Sequence, residues 1–467
     1  MSQQMNALWE RYGRLSLDEV PLDASTAARQ CILDWLGCAL SGSTEPLGQI
    51  LRAEFADEAE LAGGTAPAGS TGPAGSTGLA GSTGPASVIG SAQRVTARSA
   101  ALINGAAGHA LDYDDTNLVG GLHATTAVLP AALALAEETG ASGADLLCAY
   151  IAGVEICARL RVVIGDEHYR QGWHITSTLG VFGAVAAAGW LLRLDTDQFA
   201  RAVGLASSQV GGVHANFGTM TKPFHAGFAA ERGLLSASLA RRGFTANPDA
   251  FERAFAQMSG DIDWGRIEPL ADVFAVTDTL LKRNASGHGT QATILATQAL
   301  MADGLVADDI VHAEVRTADW VPKSAYGVRV PRIGIEAKFS LPGVSALTLL
   351  GHDLTVPATF SDENVQSPAF TDLIRRIELV GDPSFGRANA EINGEIVVET
   401  RSGRRRQPFP HTRDSGTVAS RVELVNQKFL AIATPVIGEH AKRLRDLVSD
   451  LGALPGVDEV GALLRTA

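Results

Sequence analysis

The sequence predicts a mainly α protein: a large all-α helical domain with a smaller α+β domain inserted near the C-terminal third. Three observations carry this. Through most of the first 265 residues, apolar side chains recur at helical spacing. After about residue 270 the texture changes to short strand patterns and a hairpin. From Ser420 onward helical spacing returns, so the helical domain is discontinuous. The expected bounds are 1–268 plus 410–467 for the helical domain, with a Gly-rich loop at 63–87, and 269–409 for the inserted domain.

Asp23 to Leu40 aligns Ala27, Cys31, Ile32, Trp35 and Leu36 on one helical face. Thr125 to Thr139 forms a second helix, stopped by Gly140. Ser142 and Asp145 make a capping box for a helix over Ala144 to Leu160, with Leu147, Ile151 and Val154 on one stripe. Further helices are expected from about His174 to Leu192, Thr196 to Ser208 and Ala226 to Arg241, the last closed by Gly243. Their Ala and Gly content predicts close packing in a bundle. Ile310 to Arg316 reads as a strand. Ala388 to Thr400 and Arg405 to Phe409 read as a hairpin around Ser402-Gly403, and Arg404, Arg405 and Arg406 as its solvated end. Helices follow over Glu423–Ile432, Ile437–Leu451 and Val457–Leu464.

Composition narrows the function. The 467 residues are 46% hydrophobic and 19% charged, a globular balance with room for two cores. A net charge of −13 argues against wholesale binding to nucleic acid or an anionic membrane. An anionic substrate then needs a local basic pocket. Cys31, Cys38, Cys148 and Cys157 lie in apolar helical runs without metal-ligand spacing, which predicts buried free thiols in a reducing compartment. The N-terminus lacks the pattern of a signal peptide, and the apolar run Leu179 to Leu192 is too short, at 14 residues, to span a bilayer. A cytoplasmic protein is expected. From Gly69 to Ala86, glycine recurs at every third position over six triplets, read as a passive insertion rather than a triple helix.

Four polar constellations interrupt the helices. Asn104 to Pro130 holds His109, Asp112, Asp114, Asp115, Thr116 and His123 among small apolar residues, where unpartnered charge is costly. Trp173 to Thr178 places His174 at the mouth of the apolar helix. Gly218 to Gly227 sets Lys222 before Pro223, with His225 following and a helix beginning just beyond, a geometry able to aim a cation and backbone N–H groups at an anion. Lys282 to His288 opens the inserted domain.

Together these segments resemble the MmgE/PrpD family over nearly the whole chain. The carrying residues are NGAAGHALDYDDTN, HATTAVLPAALALAEETG, GVEICARL, GLASSQVGG, GTMTKPFHAGFAAERG, LLKRNASGHGTQA and GIEAKFSLPG. The Gly-rich triplets are not part of the family pattern. The resemblance implies an all-α domain capped by an α+β lid, a homodimer, and a cofactor-free enzyme acting on a small di- or tricarboxylate; no metal is expected, since no H-x-x-x-H or H-x-H pair occurs. Family activities include 2-methylcitrate dehydration, cis-aconitate decarboxylation and iminodisuccinate epimerisation. The family's pocket residues fall on Asp112, Thr116, His123, His174 and Lys222, and in the lid on Lys282 and Tyr326. His225 and His288 are added as candidate substrate-binding residues.

These residue types suit chemistry at a carbon beside a carboxylate, where developing negative charge needs preorganised cations and donors. Lys222 and Lys282 are expected to neutralise substrate carboxylates, and His123 and His174 to move protons. Asp112 is expected to orient a histidine, Tyr326 to serve the carbon's far face, and Asp114 and Asp115 to cap the following segment. One departure matters. Where the decarboxylase pattern has a histidine five residues after the lysine, this chain has Gly287, and the histidine is His288. There is also one extra residue between Asp112 and His123. The reading is therefore epimerisation of an imino- or amino-dicarboxylate such as iminodisuccinate. Dehydration of 2-methylcitrate or a similar hydroxy acid is the alternative, and a catalytically inactive binding relative is the third.

Overall fold

The computed structural model describes residues 3–57, 84–260, 262–386, 392–411 and 417–466. Only the last Gly-rich triplet, Gly84 to Ala86, falls among them, so the expected loop lies mostly outside the described residues. The chain is mainly α. No described helix is long and apolar enough to cross a membrane.

Most expected helices form where the apolar spacing placed them. They run over Leu22–Ser43, Ala124–Thr139, Gly143–Ile164 and Thr196–Ser207. The Ser142–Asp145 capping box closes as read, and Gly140 ends its helix at φ 65°. The four cysteines are free and buried. Three boundaries differ. The His174 segment splits into Ile175–Thr178 and Gly180–Leu191. The helix expected from Ala226 begins at Thr221, so Lys222 and Pro223 occupy its first turn. Proline is accepted there because the first-turn N–H groups have no intrahelical partner. The last helices run Val422–Ile437, His440–Ser449 and Asp458–Leu464.

Small residues let the bundle close tightly. The helices Ala97–His109 and Thr221–Arg241 cross where Gly105 meets Gly227. A Cβ on Gly227 would lie 2.1 Å from the Leu102 carbonyl oxygen, and one on Gly105 would lie 2.8 Å from the Gly227 Cα. This crossing brings the end of one helix, His109, towards the start of the other, Lys222. Gly227→Ala is therefore expected to cost about 1–3 kcal/mol through forced separation of the helices. A thermal melt checks this, and an unchanged midpoint counts against the close crossing.

The later part of the chain builds a four-stranded sheet in the order Ile377–Gly381, Ile310–Thr317, Gly394–Thr400, Gly403–Pro408. The first pair is parallel and the others antiparallel. Register sets Ala313 against Ile377 and Val398, and Val315 against Leu379 and Ile396, giving one apolar face with period two. The expected hairpin is present, with its turn at Arg401-Ser402, one residue earlier than expected; its first strand begins at Gly394, and residues 388–391 of that expectation lie outside the described residues. Arg404 and Arg406 are exposed, as expected of a hairpin end, although Arg406 also pairs with the buried Glu395; Arg405 is half-buried. The parallel strand was not anticipated. Five residues with a distant partner carry too little local pattern to announce themselves.

Buried apolar side chains gather in two clusters. One draws on residues from Met5 to Leu281 and again from Val425 to Leu464. The other spans Ala285 to Val398 and receives Cys38, Leu111, Tyr113 and Ile432. The segment Leu111 to Tyr113 thus crosses the seam between them.

Candidate functional site

The seam explains the site. Leu111 and Tyr113 are apolar and sink into the second cluster. Asp112, between them, stands at φ +52°, a left-handed conformation costing an ordinary residue about 1–2 kcal/mol and tolerated best by Asn, Asp and Gly. Its carboxylate binds two cations from distant parts of the chain. Lys282 Nζ donates to Asp112 Oδ1 and to the Asp112 carbonyl oxygen, both at 2.7 Å. Lys222 Nζ pairs with Oδ2. The Lys222 ammonium also lies 5.4 Å from the Phe217 ring centre and 5.0 Å from that of Phe339. Burial pushes the Asp112 carboxyl upward, but Lys222 and Lys282 outweigh it and hold it well below the usual carboxylate range.

Four imidazoles line the same place. His109 and His123 have ring centres 4.7 Å apart, His109 and His174 stack at 6.1 Å, and His174 and His225 lie at 5.3 Å. His123 Nδ1 donates to the Asp115 carbonyl oxygen at 2.9 Å, and Thr116 Oγ1 lies 3.4 Å away. The His123 backbone N–H donates to Thr176 Oγ1 at 3.2 Å, joining the second constellation to the first. His174 and His225 meet through their Nδ1 atoms at 3.1 Å. Burial, reinforced by Lys282, holds His123 well below its ordinary pKa; burial and Lys222 do the same to His174, and burial takes His225 to about 4. At neutral pH these three are neutral imidazoles with a lone pair available.

From the later part of the chain, Tyr326 lies with its ring 6.0 Å from that of Phe339, and burial raises its hydroxyl above the ordinary tyrosine value. A Cβ on Gly287 would sit 3.0 Å from Tyr326 Cε1 and one on Gly289 2.9 Å from Tyr326 Cζ, so the residues on both sides of His288 pack on the phenol. His288 opens the short turn His288–Thr290. Lys338 Nζ donates to the Leu111 carbonyl oxygen at 2.9 Å, and burial lowers its pKa to about 8. The unfolded chain binds more protons than the folded one between about pH 8 and the ordinary value of 10.5. Stability from this residue therefore rises with pH across that window. Melting midpoints of the parent and of Lys338→Met, followed across it, are expected to converge as pH increases; parallel curves count against a buried ammonium.

Two expectations are corrected. Asp112 does not orient a histidine; it bridges two lysines, and Asp114 faces the imidazoles, with Oδ1 2.9 Å from His109 Nδ1 and Oδ2 3.5 Å from His123 Nδ1. Asp114 and Asp115 do not cap the following helix, whose N-cap position is His123. Both are buried, and Asp115 accepts from Thr125 Oγ1 at 2.9 Å. Lys338, Phe217 and Phe339 went unassigned. The Lys338 signal was the charge inside EAKFS, an apolar setting; the two rings gave none.

His109, Asp114 and His123 bring donor atoms within 4.8 Å of one another, a spacing a cation could use. The Asp114 oxygens already face His109 and His123, and Lys222 and Lys282 supply opposing positive charge nearby. The set suits proton handling better than metal binding. An open cavity of about 340 Å³, lined in part by Tyr12, Arg159 and Trp264, lies elsewhere. Its Arg159 already pairs with Glu155, and it gathers no comparable set of imidazoles.

The family profile described as MmgE/PrpD N-terminal domain matches residues 10–263, and MmgE/PrpD C-terminal domain matches 285–452. A cis-aconitate decarboxylase of Aspergillus terreus (strain NIH 2624 / FGSC A1156) is 26% identical over 500 residues, covering 96% of this chain and 93% of the relative. A cis-aconitate decarboxylase-like protein of Aspergillus oryzae is 25% identical, covering 96% and 95%. The cis-aconitate decarboxylase of Homo sapiens is 29% identical over 326 residues, 66% of this chain and 67% of its own length.

Proposed function

Because the chain belongs to the MmgE/PrpD family, we propose that it is a lyase acting on a small di- or tricarboxylate at the carbon beside a carboxylate. The observation that carries this reading is the convergence of Lys222, Lys282 and three neutral imidazoles on Asp112 and its surroundings. Lys222 and Lys282 hold substrate carboxylates and offset the charge that develops at the carbon. His123, 13% exposed at its side chain, takes the proton. His174 and His225 position the substrate from the opposite wall, with Thr116 and His288 as further donors. Tyr326, kept protonated by burial, delivers a proton to the leaving group or to the carbon's far face. Residues 269–409 form the lid over the helical part, and two chains form a homodimer.

Relatives named as decarboxylases favour loss of a group over simple inversion, so dehydration of a hydroxy acid such as 2-methylcitrate comes first. Epimerisation of an imino- or amino-dicarboxylate such as iminodisuccinate is the second reading. It is favoured by Gly287, where tyrosine and phenylalanine rings occupy the space a side chain would need. A panel of di- and tricarboxylates in deuterated buffer separates the two. Alkene appearing with loss of water supports dehydration. Deuterium uptake with inversion and no alkene supports epimerisation. Release of carbon dioxide identifies decarboxylation, and no turnover of any acid, despite binding, identifies an inactive relative.

A further inference from the structure

The segment GVEICARL has no part in the reaction above. It lies in the helix Gly143–Ile164, where Glu155 and Arg159 pair four residues apart with both side chains buried. Both also bind the backbone of one distant segment. The Ala275 N–H donates to Glu155 Oε2 and the Val276 N–H to Oε1, each at 2.9 Å. Arg159 Nη2 donates to the Leu270 and Val273 carbonyl oxygens at 3.0 and 2.7 Å. One ion pair thus holds four main-chain groups of residues 270–276. A grip on main-chain groups fixes the register of a segment whatever its side chains are.

That segment leads directly to Lys282. The Ala275 carbonyl oxygen accepts from Asn117 Nδ2 at 2.7 Å. Asn117 pairs with Thr279 in a short antiparallel ribbon, and Thr116 with Leu280. Leu281 belongs to the first apolar cluster and Ala285 to the second, so Lys282 stands in the gap between them. Its ammonium has two acceptors on Asp112, both at 2.7 Å, and reaches them only if the ribbon keeps this register. A buried ion pair stabilises a fold little more than apolar side chains of the same volume would; what Glu155 and Arg159 add is direction. We propose that Glu155, oriented by Arg159, is a positioning residue for Lys282: it sets the register of Thr279–Leu280 against Thr116–Asn117, and with it the place of the Lys282 ammonium in the site. This rests on the role given to Lys282 above. Arg421 binds the Thr277 and Thr279 carbonyl oxygens independently, so loss of the Glu155 grip loosens the segment without releasing it.

The test reads Lys282 directly and then through the reaction. Full-length parent and E155Q are exposed briefly to an acylating reagent for amines, and labelling of each lysine is read by mass spectrometry. E155Q is expected to raise labelling of Lys282 about tenfold, the scale of a local opening. Lys222 and Lys428, which lie on other segments, are expected to stay at the parent's level. On whichever acid the panel finds to turn over, E155Q is expected to lower kcat/KM about 10- to 100-fold, the cost of a small misplacement. In a K282M background the same change is expected to lower it no further, because the group it positions is already gone. Unchanged labelling of Lys282 overturns the proposal. So does equal labelling of all three lysines, which marks general loss of packing, or an E155Q effect of the same size with and without Lys282. If E155Q does not fold, R159K, which keeps the charge but loses the planar fork, is read by the same two measurements. If no acid is turned over, the proposed reaction fails, and labelling alone decides on Glu155.

Discussion

Lys222→Ala is expected to lower turnover by about 10²–10³-fold, the scale of removing one preorganised charge-stabilising group from an active site. The loss should fall on kcat as well as KM, because the ammonium serves both the bound carboxylate and the charge that builds at the carbon. Stability is expected to fall only moderately. Asp112 keeps Lys282 at 2.7 Å, so its buried carboxylate is not left without a cation. His174→Ala is a useful companion, since it removes an imidazole while leaving the Asp112 ion pairs intact. Steady-state kinetics and a thermal melt on the same preparations check both. Equal loss of folding and activity would assign these residues a structural role.

The largest effect on stability is expected at Lys428. Its ammonium lies 2.7 Å from Asp34 Oδ1, donates to the Tyr113 carbonyl oxygen at 2.7 Å, and sits 3.8 Å from the Tyr113 ring centre. Both charged side chains are almost wholly buried. Burial would lower the lysine, but Asp34 outweighs it and raises the value above the ordinary one. Lys428→Met leaves the Asp34 carboxylate buried and unpaired, which costs about 3–5 kcal/mol in comparable cases. Asp34→Leu combined with Lys428→Met should recover most of that loss, because it removes the stranded charge. Denaturant melts of the two variants decide, and a single variant as stable as the parent would count against the pair. The consequence reaches the site as well. Tyr113 neighbours Asp112, and its hydroxyl donates to the Arg283 carbonyl oxygen at 2.8 Å, next to Lys282. Lys428 thereby braces the segment that presents Asp112 to both lysines.

Much of this was legible in one dimension. Helical spacing located the main helices, because each buries a face whose period is written locally. The capping box at Ser142 and the glycine stop at Gly140 held for the same reason. Residue type also marked the polar cluster, since carboxylates and histidines among alanines and glycines need partners wherever they end up. The short parallel strand Ile377–Gly381 escaped because its stabilising contacts lie far away in sequence.

The sequence by itself determined that the chain is mainly helical, that a polar cluster interrupts its helices, and that lysines and histidines of a particular family pattern belong to it. Only the tertiary structure decided which carboxylate meets which partner. Asp112, expected to steady an imidazole, holds two ammonium groups, and Asp114, expected to cap the following segment, holds the imidazole. The physical reason is alternation. Once Leu111 and Tyr113 are drawn into one apolar cluster, the side chains between and beyond them turn the other way; lysines more than a hundred residues away claim Asp112, and Asp114 is left to the imidazole five residues before it. Pairing over such separations leaves no mark on local spacing.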